Sequence, residues 1–235
     1  QNHTLVRFEP APGLAYNRRF TPPAINGHIM NADLDALHPY PFEKLAALKA
    51  ELTPPTGLAH IPLTIGEPQH APFPAALEAL VAHQLEMARY PATNGLPALR
   101  QTIANWASQR FQLRELDSER HVVPVNGTRE AIFAFVQAAL DRSRPAKVAV
   151  PNPFYQIYEG ATLLAGGEPL YLDCTAENNF RPDVSAVPAA TWRDVQIVFI
   201  CSPGNPTGAV TPLDEFKQLI ALADEHDFII ASDEC

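Results

Sequence analysis

The sequence predicts an α/β fold built on an open, mostly parallel sheet, and three observations carry that expectation. Short apolar runs occur at Lys147 to Val150, Ile197 to Cys201 and Phe228 to Ala231, each continuous enough to be a strand buried on both faces. Helix-compatible segments alternate with these runs, the pattern of an open α/β sheet. With 235 residues, 46% of them apolar, the chain is long enough to cover such a sheet with one large core.

Taken in order, residues 1–29 show neither helical nor strand periodicity. They read as an N-terminal extension ahead of a natural start at Met30, or as an ordered arm on a partner subunit. From Tyr40 to Leu52 the residues Phe42, Leu45, Leu48 and Leu52 recur at helical spacing, and Thr53-Pro54-Pro55 ends the segment. A short extended piece from Ile61 to Ile65 leads into Gly66-Glu67-Pro68. Helical patterns follow over about 74–88 and 96–111, separated by Tyr90-Pro91-Ala92-Thr93-Asn94-Gly95, and a third covers about 128–140. Between the second and third strands, Thr211 is placed to cap a helix with Pro212 at its first position. Asp214 and Glu215 would stand in its first turn, and Phe216, Leu219, Ile220 and Ala223 would form its apolar face.

Composition narrows the function classes. The chain has 26 acidic against 17 basic side chains, a net charge of −9 with no basic tract, which argues against nucleic acid as a partner. Cys174, Cys201 and Cys235 are odd in number and widely spaced, without metal-ligand spacing, so neither a disulfide framework nor a metal site is expected and a reducing cytoplasm fits best. No apolar stretch reaches the ~20 residues of a membrane span, and no secretory signal pattern opens the sequence. The glycosylation patterns at Asn2 and Asn126 are read as incidental.

Ligands of open α/β sheets bind outside the carboxyl ends of the strands. Each apolar run here empties into polar or turn-forming residues: Pro151-Asn152-Pro153-Phe154-Tyr155, Ser202-Pro203-Gly204-Asn205-Pro206-Thr207-Gly208, and Ser232-Asp233-Glu234. Asn126-Gly127-Thr128 adds a helix start, where unpaired N–H groups and the helix dipole favour a phosphate and glycine permits its close approach; a simple cap by Asn126 or Thr128 is the alternative. The chain has no G-x-G-x-x-G after a strand and no Walker-type loop, so the phosphate belongs to something other than a dinucleotide or NTP. Asp233 at a strand end suits a protonated pyridine nitrogen, Asn205 a phenolate oxygen, and Tyr155 the face of an aromatic ring. A capping aspartate, a turn-locked asparagine and a core tyrosine are the plain alternatives.

These residues together resemble the class I/II aminotransferases of pyridoxal 5'-phosphate (PLP) fold type I. The segment containing Asn205-Pro206-Thr207-Gly208 is similar to the family's N-P-x-G signature, and Asp233 to its pyridinium partner. Tyr155 resembles the stacking aromatic, and Gly127, Thr128 and Arg129 the phosphate loop. Tyr90 is similar to the tyrosine that reaches the phosphate of a neighbouring subunit, and Gly66 to the glycine near the substrate carboxylate. The resemblance implies a homodimer acting on amino acids and 2-oxo acids. It also implies a division into an extension (1–29), the N-terminal segment of a small domain (30–72) and an incomplete PLP-binding large domain (73–235).

At finer grain, the stretches 37–45, 126–131 and 151–160 resemble N-succinyl-L,L-diaminopimelate aminotransferases of bacterial lysine biosynthesis. That implies a ping-pong exchange with glutamate as donor. Aspartate- or alanine-type aminotransferases share the cofactor residues and stay open as an alternative, as does a non-catalytic PLP-binding fragment or regulator. The sequence departs from the family in three respects: it lacks the Schiff-base lysine, the tyrosine expected three residues after the aspartate, and the C-terminal small domain with its carboxylate-binding arginine. Its four lysines, Lys44, Lys49, Lys147 and Lys217, do not occupy the context of the Schiff-base lysine, so no catalytic residue is assigned and these residues alone are expected to be inactive.

Overall fold

The computed structural model describes residues 31–114 and 116–234. The extension 1–29, the start at Met30 and Cys235 lie outside the described residues. Strands β1 (Lys147–Asn152), β2 (Glu168–Asp173), β3 (Val195–Cys201) and β4 (Ile229–Asp233) form one sheet in the order β2-β1-β3-β4. All three pairings are parallel, as expected. The order reverses direction between β1 and β3, which makes their carboxyl ends the switch point of the sheet.

Side chains alternate across the strands, so the sheet is packed on both faces. On one face Val148, Val150, Ile197 and Phe199 meet Val136 of α4 (Thr128–Ala139) and Tyr158 and Ala161 of α5 (Ile157–Leu164). On the other, Ala149, Val198 and Ile200 meet Trp192, Phe228 and Leu219 of α6 (Leu213–His226). Each side chain removed from water in this way contributes about 1.5–3 kcal/mol.

Strands β1 and β4, the first and third of the predicted runs, extend past their sequence-based ends at Val150 and Ala231, to Asn152 and Asp233. Strand β2 was not among the predicted runs. It is an edge strand, with Pro169 in its second position and Tyr171 partly exposed, so it lacks the continuous apolar signal of its neighbours. Helix α6 begins one residue later than expected. Pro212 is the N-cap, and the Thr211 N–H donates instead to Ser202 Oγ at 3.0 Å, which ties Thr211 to the loop after β3.

Ahead of the sheet lie α1 (Pro41–Lys49), α2 (Pro74–His83) and α3 (Pro97–Phe111), each with proline in its first turn. Helix α1 stops short of Leu52, and its apolar spacing faces no second layer among the described residues, Leu48 being exposed. The expected helix over 74–88 divides into α2 and a tighter 3-10 segment, Gln84–Ala88. Residues 61–65 form no strand: no neighbouring strand pairs with them, and Ile61, Leu63 and Ile65 are exposed. Gln112, in the left-handed region at φ 53°, ends α3. Among the described residues no helix is long and apolar enough to cross a membrane.

Phe199, 1% exposed and stacked on Tyr158 at 4.6 Å between ring centroids, is the largest apolar group shared by β3 and α5. Phe199→Ala is expected to cost roughly 3–5 kcal/mol. Urea unfolding should show a lower midpoint at an unchanged slope; a loss below about 1 kcal/mol would mean that this contact does not anchor the sheet.

Candidate active site at the strand ends

The final ladder residues of the four strands are Asn152, Asp173, Cys201 and Asp233, all at one edge. The Asn152 amide donates to Asp173 at 2.8 Å, closing that edge on the β2 side. On the other side, a cavity of about 510 Å³ separates α4 from β4. Its walls are apolar, through Ile132, Phe135, Phe199 and Ala231, and Thr128 and Asp233 line it as well.

The helix end at Thr128 is built to attract an anion. Gly127 is the N-cap, and no side chain caps the helix, so neither Asn126 nor Thr128 takes the capping role that the sequence left open. The first N–H groups of α4 therefore lack intrahelical partners. Glu130 of the first turn bends back, its Oε2 lying where it would be 2.5 Å from a Cβ on Gly127. Arg129 donates from Nε to the Tyr155 hydroxyl at 2.8 Å. That bond, and more weakly Glu130 and Tyr40, holds the guanidinium in its charged form.

Asp233 is fixed from below. The Tyr158 hydroxyl donates to Asp233 Oδ2 at 2.5 Å, and Tyr158 itself is fully buried between Phe199 and the edge of Tyr155. Burial, then the bond to Asp233, pushes the phenol pKa far up, so Tyr158 stays a neutral donor. The carboxylate retains a second oxygen for a ligand.

The structure thus groups Gly127, Thr128, Arg129, Tyr155 and Asp233. Asn205 stands apart, exposed in the loop after β3 beside Pro151, Pro153 and Cys201. That loop is held by Gly204 N–H to Ala209 O at 2.8 Å and Gly208 N–H to Gly204 O at 2.7 Å, with Gly208 at φ +73° where a side chain would be strained. Tyr90 is 99% exposed and Gly66 has open space around it, so neither joins the strand ends within this chain.

Two residues at the site escaped the sequence reading. Tyr158 lies three positions beyond Tyr155, a spacing that places both rings on one side of a helix start and was the available signal. Glu159 is buried, taking a 2.5 Å bond from the Tyr171 hydroxyl on one oxygen and meeting His38 Nδ1 at 3.1 Å on the other. Phe154 stacks on Tyr171 at 5.6 Å.

Two outcomes are expected from these contacts. Tyr158→Phe should lower stability by about 1.5–3 kcal/mol, the range for a hydrogen bond to a charged group, as measured by urea unfolding; no change would mean that the bond is not made in solution. Tyr171 is pushed up to about 12 by burial and Glu159, from an ordinary value of about 10. The folded state favours the protonated phenol, so this stabilisation is fully present below about pH 10 and is lost as the pH rises through about 12. Melting temperatures of Tyr171→Phe should fall less steeply than those of the parent protein over that window, and equal slopes would show that Tyr171 titrates normally.

Comparison with known proteins identifies the family of the chain. Residues 59–235 match the model of the family described as aminotransferase class I and II. The LL-diaminopimelate aminotransferases of Moorella thermoacetica and Desulforudis audaxviator are 38% and 36% identical, each alignment covering 84% of this chain and 50% of the relative. The crystal structure of an aminotransferase from Neisseria meningitidis superposes with a TM-score of 0.81 at 45% identity, over 88% of this chain and 52% of that one. The chain spans about half the length of the curated relatives it matches. It belongs to the class I and II aminotransferases, whose enzymes depend on PLP.

Proposed function

We propose that the full-length protein is a PLP-dependent aminotransferase acting on a diaminopimelate in lysine biosynthesis, as a cytoplasmic homodimer, and that the strand-end site holds its cofactor. The supporting observation is the single cavity with an uncapped helix end on one side and Asp233, tethered by Tyr158, on the other. An anion-attracting helix start and a carboxylate lining one apolar slot suit a ring that carries both a phosphate and a basic nitrogen.

In this reading the N–H groups at Thr128 and Arg129, next to Gly127, take the phosphate, displacing the Glu130 carboxylate from the helix end. Asp233 accepts from the protonated ring nitrogen, while Tyr158 keeps that carboxylate in place. Tyr155 flanks the ring, oriented by Arg129. Asn205 would serve the phenolate oxygen. Tyr90 serves the phosphate of a neighbouring subunit, and Gly66 lies near the substrate carboxylate. When bound, PLP supplies the electron sink for the bond broken at the substrate's α-carbon. Residues 30–72 are assigned to a small domain and 73–235 to the PLP-binding large domain.

None of the four lysines belongs to the loops after β1, β3 or β4. Lys147 is at the opposite end of the sheet, paired with Glu168 at 2.6 Å, and Lys217 lies on α6, paired with Asp214 at 3.2 Å. None of the four is therefore assigned the role of carrying the cofactor and moving the proton, and these residues alone are expected to be inactive.

Two observations support a diaminopimelate substrate. The relatives are named for LL-diaminopimelate, and the stretches 37–45, 126–131 and 151–160 resemble enzymes for its N-succinyl form. Amino transfer by the full-length protein from glutamate should favour N-succinyl-2-amino-6-oxopimelate or the amino-oxopimelate of the free pathway over oxaloacetate and pyruvate. Preference for the two small oxo acids would overturn the substrate and leave the cofactor site standing. Asp233→Ala in the same protein should lower turnover by on the order of 10²-fold or more, while the cofactor absorbance shows PLP still bound; near-normal turnover would remove Asp233 from its role.

A further inference from the structure

Cys201 is a buried free thiol at the point where β3 passes into the loop that carries Asn205, and it has no part in the cofactor contacts proposed above. Its place follows from the ladder. Cys201 stands beside Asp233 as Phe199 stands beside Ala231, and paired residues of parallel strands leave the sheet on the same face. Phe199 and Ala231 pack on the face covered by Tyr158, so two positions further on Cys201 and Asp233 share that face at the strand ends.

The Tyr158 ring lies nearly flat on Phe199, with 4.6 Å between centroids and 11° between planes, and its hydroxyl reaches Asp233 at 2.5 Å. A phenol that covers Phe199 and ends at Asp233 carries its oxygen to Cys201, which is two positions beyond the first and level with the second. The titration of that phenol registers the contact: burial raises its pKa most, then Asp233, then Cys201. The phenolic hydrogen goes to Asp233 and the thiol hydrogen to the Pro203 carbonyl at 3.2 Å, so sulfur and oxygen meet without competing for a proton.

The bond to Pro203 gives the thiol a second task. Gly204 N–H to Ala209 O and Gly208 N–H to Gly204 O set the internal shape of the loop after β3, whereas Cys201 to Pro203 O fastens its beginning to the strand. Asn205 follows two residues later and borders the same small hollow as Cys201 and Gly204.

We propose that Cys201 is a positioning residue for the cofactor ring, its sulfur seating the Tyr158–Asp233 pair while its thiol hydrogen holds Pro203 and with it the loop of Asn205. The proposal rests on the aminotransferase reading and adds to it one side chain that couples the residue assigned to the ring nitrogen with the residue assigned to the phenolate oxygen.

The test compares Cys201→Ser, which keeps a donor for Pro203, with Cys201→Val, which fills the space without one, both in the full-length protein loaded with PLP. Cys201→Val is expected to lower kcat about tenfold with little change in KM for the amino donor, and to move the pH midpoint of the cofactor absorbance. Cys201→Ser should recover most of the rate and the parental midpoint. A packing role predicts the reverse order, so parental turnover in Cys201→Val, or equal losses in the two variants, would overturn the proposal. Urea unfolding of Cys201→Val, Tyr158→Phe and the double variant tests the contact without the cofactor: the two effects should fall short of additivity, and strict additivity would show that the side chains do not meet. Coupled effects in a protein that takes up no PLP would leave the contact in place and overturn the aminotransferase reading.

Discussion

Strand β3, from Val195 to Cys201, is buried at every position, and a parallel strand in that situation needs cover on both faces. Parallel strands cannot be joined by tight hairpins, so each return from carboxyl to amino end crosses one face of the sheet. Here the return from β1 to β2 is α5, and the return from β3 to β4 is α6. The same requirement that covers the sheet therefore sends every strand in one direction and collects Asn152, Asp173, Cys201 and Asp233 along one edge. The site is a consequence of covering the core.

Polar groups inside that core link stability to chemistry. A buried phenol left without a partner costs its desolvation, so Tyr158 needs an acceptor, and the acceptor in reach is Asp233. Gln196 meets the same demand at the other end of β3. Its amide donates to Asp141 O at 2.9 Å and Pro145 O at 3.0 Å, and its oxygen accepts from the Asp141 N–H at 2.8 Å, pinning the connection between α4 and β1. With one end of β3 locked by Gln196 and its partner ring Phe199 stacked under Tyr158, a carboxylate at the end of β4 is held by packing rather than by a flexible loop.

What the sequence disclosed depended on how much of each element's environment lay within the element. The runs at β1, β3 and β4 are apolar on both faces, and that is visible residue by residue; β2 is an edge strand, half wet and carrying Pro169, and its signal is diluted. Gly127, Thr128, Arg129, Tyr155 and Asp233 were legible because strand ends and helix starts recruit recognisable residue types. Tyr158 and Glu159 were not, because each draws its meaning from a partner 75 or 121 positions away, Asp233 and His38. The one-residue error at α6 has a similar origin: local capping rules favour Thr211, and a bond to Ser202 across the loop overrides them.

An acidic chain that is to handle acidic ligands faces an opposing field, its net charge being −9. Range resolves this. At physiological ionic strength exposed charges are screened beyond about 8 Å, so scattered carboxylates count little at any one point, whereas contacts within hydrogen-bond distance count fully. The uncapped start of α4 and Arg129, bonded to Tyr155, are both local devices of this kind. Contacts of this range, rather than the net charge, therefore decide where an anion is held.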